Sequence, residues 1–137
     1  MRKFIHFMAI TYLAMGSWSI ADTTITAVTD VIVEDARLLL EKDGVYRLQF
    51  RLINDSAQDV TLVGVSSVAA SKGQMVYYTS HGAAEPMEQF TLEPDEEADF
   101  MNSHLHAQLI GLKLENGSAP FQLMFRRGRI DGVAHVH

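Results

Sequence analysis

Tyr46-Arg47-Leu48-Gln49-Phe50-Arg51-Leu52 alternates apolar and polar residues without a break. Successive side chains of a β-strand point to opposite faces, so the stretch reads as a half-buried antiparallel strand. Asn54-Asp55-Ser56 closes it with turn chemistry. Upstream, Lys42-Asp43-Gly44 follows residues 36–41, and Asp-Gly between two apolar runs is a hairpin signal. Residues 31–40 carry good helix formers, among them Ala36, Arg37, Leu38 and Leu39, so a helix competes there with the expected strand.

The pattern repeats downstream. Val60-Thr61-Leu62-Val63-Gly64-Val65 is β-branched, and residues 74–79 read as a further strand. Phe90-Thr91-Leu92 alternates before the acidic turn Glu93-Pro94-Asp95-Glu96-Glu97, and residues 98–101 follow as a short strand. Residues 106–114 stop at Glu115-Asn116-Gly117-Ser118. Phe121, Leu123 and Phe125 alternate with Gln122, Met124 and Arg126, and residues 130–136 end the series. Seven to nine short strands separated by turns predict an all-β fold, a Greek-key sandwich or barrel. No repeat, low-complexity tract or linker divides it.

Residues 1–21 stand apart. Arg2 and Lys3 precede an almost wholly apolar run over residues 4–15, and Ser19 and Ala21 are small residues two apart before Asp22. That order is a secretory signal peptide. The twelve-residue run is short of the ~20 residues that span a bilayer, and without Cys the chain cannot carry a lipidated N-terminal cysteine. Cleavage after Ala21 would leave residues 22–137 as one exported, periplasmic domain with no membrane span. It carries nine Lys and Arg against 17 Asp and Glu. An acidic domain suits neither nucleic acid nor an anionic membrane surface.

Without Cys, any metal must be held by His, Met, Asp or Glu. Residues 22–137 contain five histidines, and four form two His-x-His pairs, His104/His106 and His135/His137. In a strand, residues i and i+2 share a face with Cα atoms about 6–7 Å apart, so two imidazoles can converge on one ion. Imidazole suits copper, zinc and nickel, and a thioether selects Cu(I). Met87 and Met101 are the nearby thioethers, with His81 a short loop before Met87. The plainer reading of each pair is two surface histidines. His135 and His137 stand at the last residues of the sequence, where order is usually poor. Met124 fits a packed strand face, and Asp95, Glu96, Glu97 and Asp99 fit a solvated edge. No nucleophile elbow, H-E-x-x-H, P-loop or dinucleotide fingerprint points to an enzyme.

From Thr29 onward the chain resembles the periplasmic PCuAC copper chaperones, small cupredoxin-like β-domains. The matching blocks run in order: residues 46–54, a strand ending in Asn54; Leu62-Val63-Gly64-Val65-Ser66-Ser67-Val68-Ala69-Ala70; His106-Ala107-Gln108-Leu109-Ile110-Gly111-Leu112; and Phe121-Gln122-Leu123-Met124-Phe125. The resemblance implies a domain that binds Cu(I) or Cu(II) and delivers it to an oxidase subunit or assembly protein. The family's ligands are a His opening a loop, a Met about a dozen residues later, and a final H-x-M. His106 matches the last His and Met87 the loop Met, but Tyr78 stands at the first His and Gln108 at the last Met. His81 and His104 lie near the two lost positions, so His81, Met87, His104 and His106 form the expected copper site. A blue-copper electron-transfer site is excluded, because it needs a Cys thiolate. The alternative is a metal-free envelope interaction module that keeps the fold and has lost the copper site.

Overall fold

The computed structural model describes residues 30–137, so the leader expected over residues 1–21 lies outside them. Ten strands follow one another: β1 (Val31–Lys42), β2 (Val45–Asn54), β3 (Val60–Ser66), β4 (Lys72–Tyr78), β5 (Ala84–Pro86), β6 (Phe90–Leu92), β7 (Glu97–Asp99), β8 (Leu105–Ile110), β9 (Ser118–Phe125) and β10 (Gly128–Val136). Among the described residues no helix is long and apolar enough to cross a membrane.

The competition over residues 31–40 resolves as strand. Leu38 pairs with Leu48 and Leu40 with Tyr46, so the run is half of a hairpin with β2. β1 also slips register twice, between Glu34 and Arg37 and between Leu40 and Lys42. Each slip inserts a bulge residue and resets which face the next side chain takes. Asp35, in the first bulge, has φ 57°. Gly44 closes the hairpin at φ 74°, a conformation that glycine adopts without steric cost.

The strands form one curled mixed sheet in the order β5-β4-β8-β2-β1-β10-β9-β3-β6, with β7 also paired to β2. All pairings are antiparallel except β1 with β10. The sheet curls into a half-barrel with a cupredoxin-like Greek-key path. β4 returns against β3 so closely that a Cβ on Gly73 would lie 2.0 Å from the Val65 carbonyl oxygen, so only glycine fits there. Inside, Leu38, Leu48, Phe50, Leu62, Leu109 and Leu123 are fully buried. Phe100 stacks on Phe50, with ring centroids 4.6 Å apart.

Asn54 ends β2 as a buried polar hub. Its Nδ2 donates to the carbonyls of Gln58 (2.8 Å) and Leu92 (3.1 Å), and its Oδ1 accepts from the backbone N of Ser56 (3.0 Å). A buried amide is tolerated when its donors and acceptors are paired in this way. The fifth strand, β5, escapes sequence reading because it is short, fully exposed and without alternation; pairing with β4 makes it a strand.

Candidate functional site

β8 sets the geometry. Ala107 and Leu109 are buried in the core, so His106 and Gln108 occupy the opposite row, on the outer face of the sheet. The pairing with β4 sets Val76 against His106 and Gln74 against Gln108. One step further, the Tyr78 amide donates to the His104 carbonyl at 3.0 Å. Tyr78, His104, His106 and Gln108 therefore share one outer row and its neighbour.

These side chains bind one another. The Tyr78 and His106 rings lie 4.6 Å apart, tilted by 49°. Gln74 Nε2 donates to Gln108 Oε1 at 2.7 Å, and Gln108 Nε2 donates to Glu41 Oε1 at 3.0 Å. Glu41 is brought there by the second β1 bulge. Its other oxygen lies 3.5 Å from Nδ1 of His106, a buried atom without a hydrogen-bond partner. Burial pushes the His106 imidazole below its ordinary pKa of 6.5; Arg47 acts in the same direction, Glu41 opposes, and His104 adds to the lowering. The contact with Glu41 is thus one between a neutral imidazole and a carboxylate at neutral pH, not a full ion pair. Arg47 Nη2 and Gln49 Nε2 both donate to the Met101 carbonyl, at 2.8 and 3.2 Å, and tether the loop before β8 over the outer face.

The four expected ligands lie on three stretches of chain: β8 and the loop before it, the β4–β5 turn, and the position just past the end of β5. His104 and His106 share the outer row, His104 exposed and His106 partly covered. His81 is exposed in the turn between β4 and β5, which Thr79 closes by donating to the Ala83 carbonyl at 2.9 Å. The Met87 amide donates to the Met75 carbonyl at 2.9 Å, one step past the Val76–Pro86 pair. That register places Met87 in the row of Met75, and it packs against the core while His106 belongs to the row of Val76. Among the described residues no three His, Asp or Glu side chains gather as a metal centre. Of the four positions the resemblance marks as ligands, His106 and Met87 keep an imidazole and a thioether, while Tyr78 and Gln108 bring a phenol and a carboxamide hydrogen-bonded at both ends. The phenol and the carboxamide are not the imidazole and thioether donors of a copper site of that kind.

Sequence reading missed Glu41 and Gln74. Neither stands near a motif, and they are 67 and 34 residues from Gln108 in the chain.

No protein-family model matches the sequence, and neither does any curated protein. Solved structures do match. The copper-bound PCuAC domain from PmoF2 superposes with a TM-score of 0.66 at 20% identity, covering 82% of this chain and 97% of that one. The apo PCuAC domain from PmoF1 gives 0.66 at 17% identity, covering 82% and 98%. The solution structure of apo-DR1885 from Deinococcus radiodurans gives 0.54 at 21% identity, covering 89% and 88%. At these identities the likeness establishes the fold: this chain has the fold of the PCuAC domains.

Proposed function

We propose that this chain is an exported cell-envelope domain that keeps the PCuAC fold, has exchanged the fold's copper position for a side-chain network, and works through protein contacts. The carrying observation is the chain of bonds from Gln74 to Gln108 to Glu41, with His106 held between Glu41 and the Tyr78 ring. A ligand position whose polar atoms are already paired gives up those bonds before it can take a metal. The barrel end at the β1–β2 turn supports the contact role. Leu40, Val68 and Val136 are exposed there among Lys42, Lys72 and Lys113, a mixed apolar and charged surface of the kind protein interfaces use. The reading assigns no catalytic step.

The second reading is a copper-binding chaperone that delivers its cargo to an oxidase subunit or assembly protein. The buried, unpartnered Nδ1 of His106 favours it, since such an atom is where an ion would be sought. A site of His81, Met87, His104 and His106 would require Met87 to leave its place against the core.

Titration of the untagged exported protein with Cu(I) against competing chelators separates the two, alongside a His104→Ala/His106→Ala variant. The metal-free reading expects the same isotherm from both proteins. One tight equivalent that disappears in the variant would replace that reading with the chaperone.

A further inference from the structure

His135 and His137 do not form a frayed tail. β10 lies between β9 and β1 to its last residues: His135 is opposite Ser118 on β9 and Arg37 on β1. The Val136 amide donates to the Gly117 carbonyl at 2.8 Å, and the His137 amide donates to the Leu38 carbonyl at 2.9 Å. His135 is therefore paired on both sides, and the His137 backbone, one residue past β10, is tied to β1. Ala134 is buried in the core, so His135 and His137 take the alternate, outer row, and both are exposed.

We propose that His135 and His137 form a bidentate site for a late first-row divalent ion, Cu(II) or Ni(II), separate from the fold's copper position. Strand neighbours i and i+2 stand about 6–7 Å apart at Cα, and two rings leaning together bring one nitrogen of each within reach of an ion at bonds of about 2.0–2.1 Å. Among the described residues no ring or hydrogen-bond partner holds either imidazole away from that geometry, whereas His106 is packed against Tyr78 and Glu41. The ordering cost that weakens chelation by a mobile tail is met by the sheet before the ion arrives. Water fills the remaining coordination positions, which makes the ion exchangeable. The excess of acidic side chains in residues 22–137 raises the local cation concentration around the domain.

The site is distinct from the β8 pair. In the sheet order, β2 and β1 lie between β8 and β10. Three strand spacings are roughly 14 Å, too far for one ion to bind both pairs.

The test is calorimetric titration of the untagged exported protein with NiCl2 and, separately, CuCl2, on wild type, His135→Ala/His137→Ala and His104→Ala/His106→Ala, each first checked to be folded by its circular dichroism spectrum and a cooperative melt. The expected result is one equivalent of Ni(II) on wild type and on the β8 variant, weakened at least tenfold in the β10 variant. Loss of that equivalent in the β8 variant, or its survival in the β10 variant, overturns the proposal. The outcome is independent of whether the β8 position binds Cu(I), because the β8 variant removes that position.

Discussion

His104 and His106 on β8 and His135 and His137 on β10 share a spacing and an outer face of the same sheet, and little else. The β8 pair is drawn into the fold. His106 is covered by Tyr78 and Glu41, and Gln108 beside it is bonded to Gln74 and Glu41. The β10 pair has its backbone held, His135 by both neighbouring strands and His137 by β1, and among the described residues its imidazoles are uncommitted. The comparison teaches that a His-x-His motif states only which side chains share a face. Whether they are ligands depends on what the neighbouring strands have already bonded to them.

The largest expected effect comes from reversing the β8 exchange. A Tyr78→His/Gln108→Met variant replaces the phenol and the carboxamide with an imidazole and a thioether in the row of His106. Cu(I) affinity should rise on the order of 100-fold, about 2.8 kcal/mol, measured by chelator competition. If it does not rise, the row lacks the geometry for a site, and the contrast with β10 has another cause.

Stability should separate the pairs next. Gln108→Ala removes the partner of both Gln74 and Glu41 and should cost about 1–2 kcal/mol in urea unfolding. His135→Ala/His137→Ala should stay within about 0.5 kcal/mol of wild type, as exposed substitutions do. Equal losses would mean that the β10 pair is also structural. A smaller effect concerns Arg37, which lies level with His135 on β1. Arg37→Gln removes a like charge beside the proposed ion, so Ni(II) affinity should increase a few-fold at low salt and less at high salt. No change would place the ion elsewhere.

The smallest effect is a pH slope. The folded pKa of His106 lies below its ordinary 6.5, through burial first and Arg47 second, with Glu41 opposing and His104 adding. Between the two values the unfolded chain binds the proton and the folded chain does not. Stability is therefore full above about 6.5 and declines as pH falls from there toward the folded value. Melting curves from pH 7.5 to 5.5 should show this decline, reduced in His106→Gln. The same slope in both proteins would assign it to other groups.

The fold was largely legible because alternation over residues 46–52 and 121–125 is a direct record of one buried face. Residues 31–40 were ambiguous because Ala36, Arg37, Leu38 and Leu39 are good helix formers in a short apolar run, and pairing with β2 makes them strand. The site was half legible. The resemblance marked Tyr78, His106 and Gln108, and the β4–β8 register does bring them together. Glu41 was not legible, since a bulge aims it across from β1. The row taken by Met87 was not legible either: it follows from the β4–β5 register, and β5 has no alternation of its own. The expectation of poor order at His135 and His137 considered the end of the sequence and could not include the two strands flanking β10.

The most direct test of the contrast between the pairs is a long-range nitrogen–proton NMR spectrum of the histidine rings during addition of substoichiometric Cu(II), whose paramagnetism broadens the signals of the imidazoles it binds. The account predicts that the His135 and His137 signals vanish first while those of His106 persist. Loss of the His104 and His106 signals first, with His135 and His137 unaffected, would contradict it.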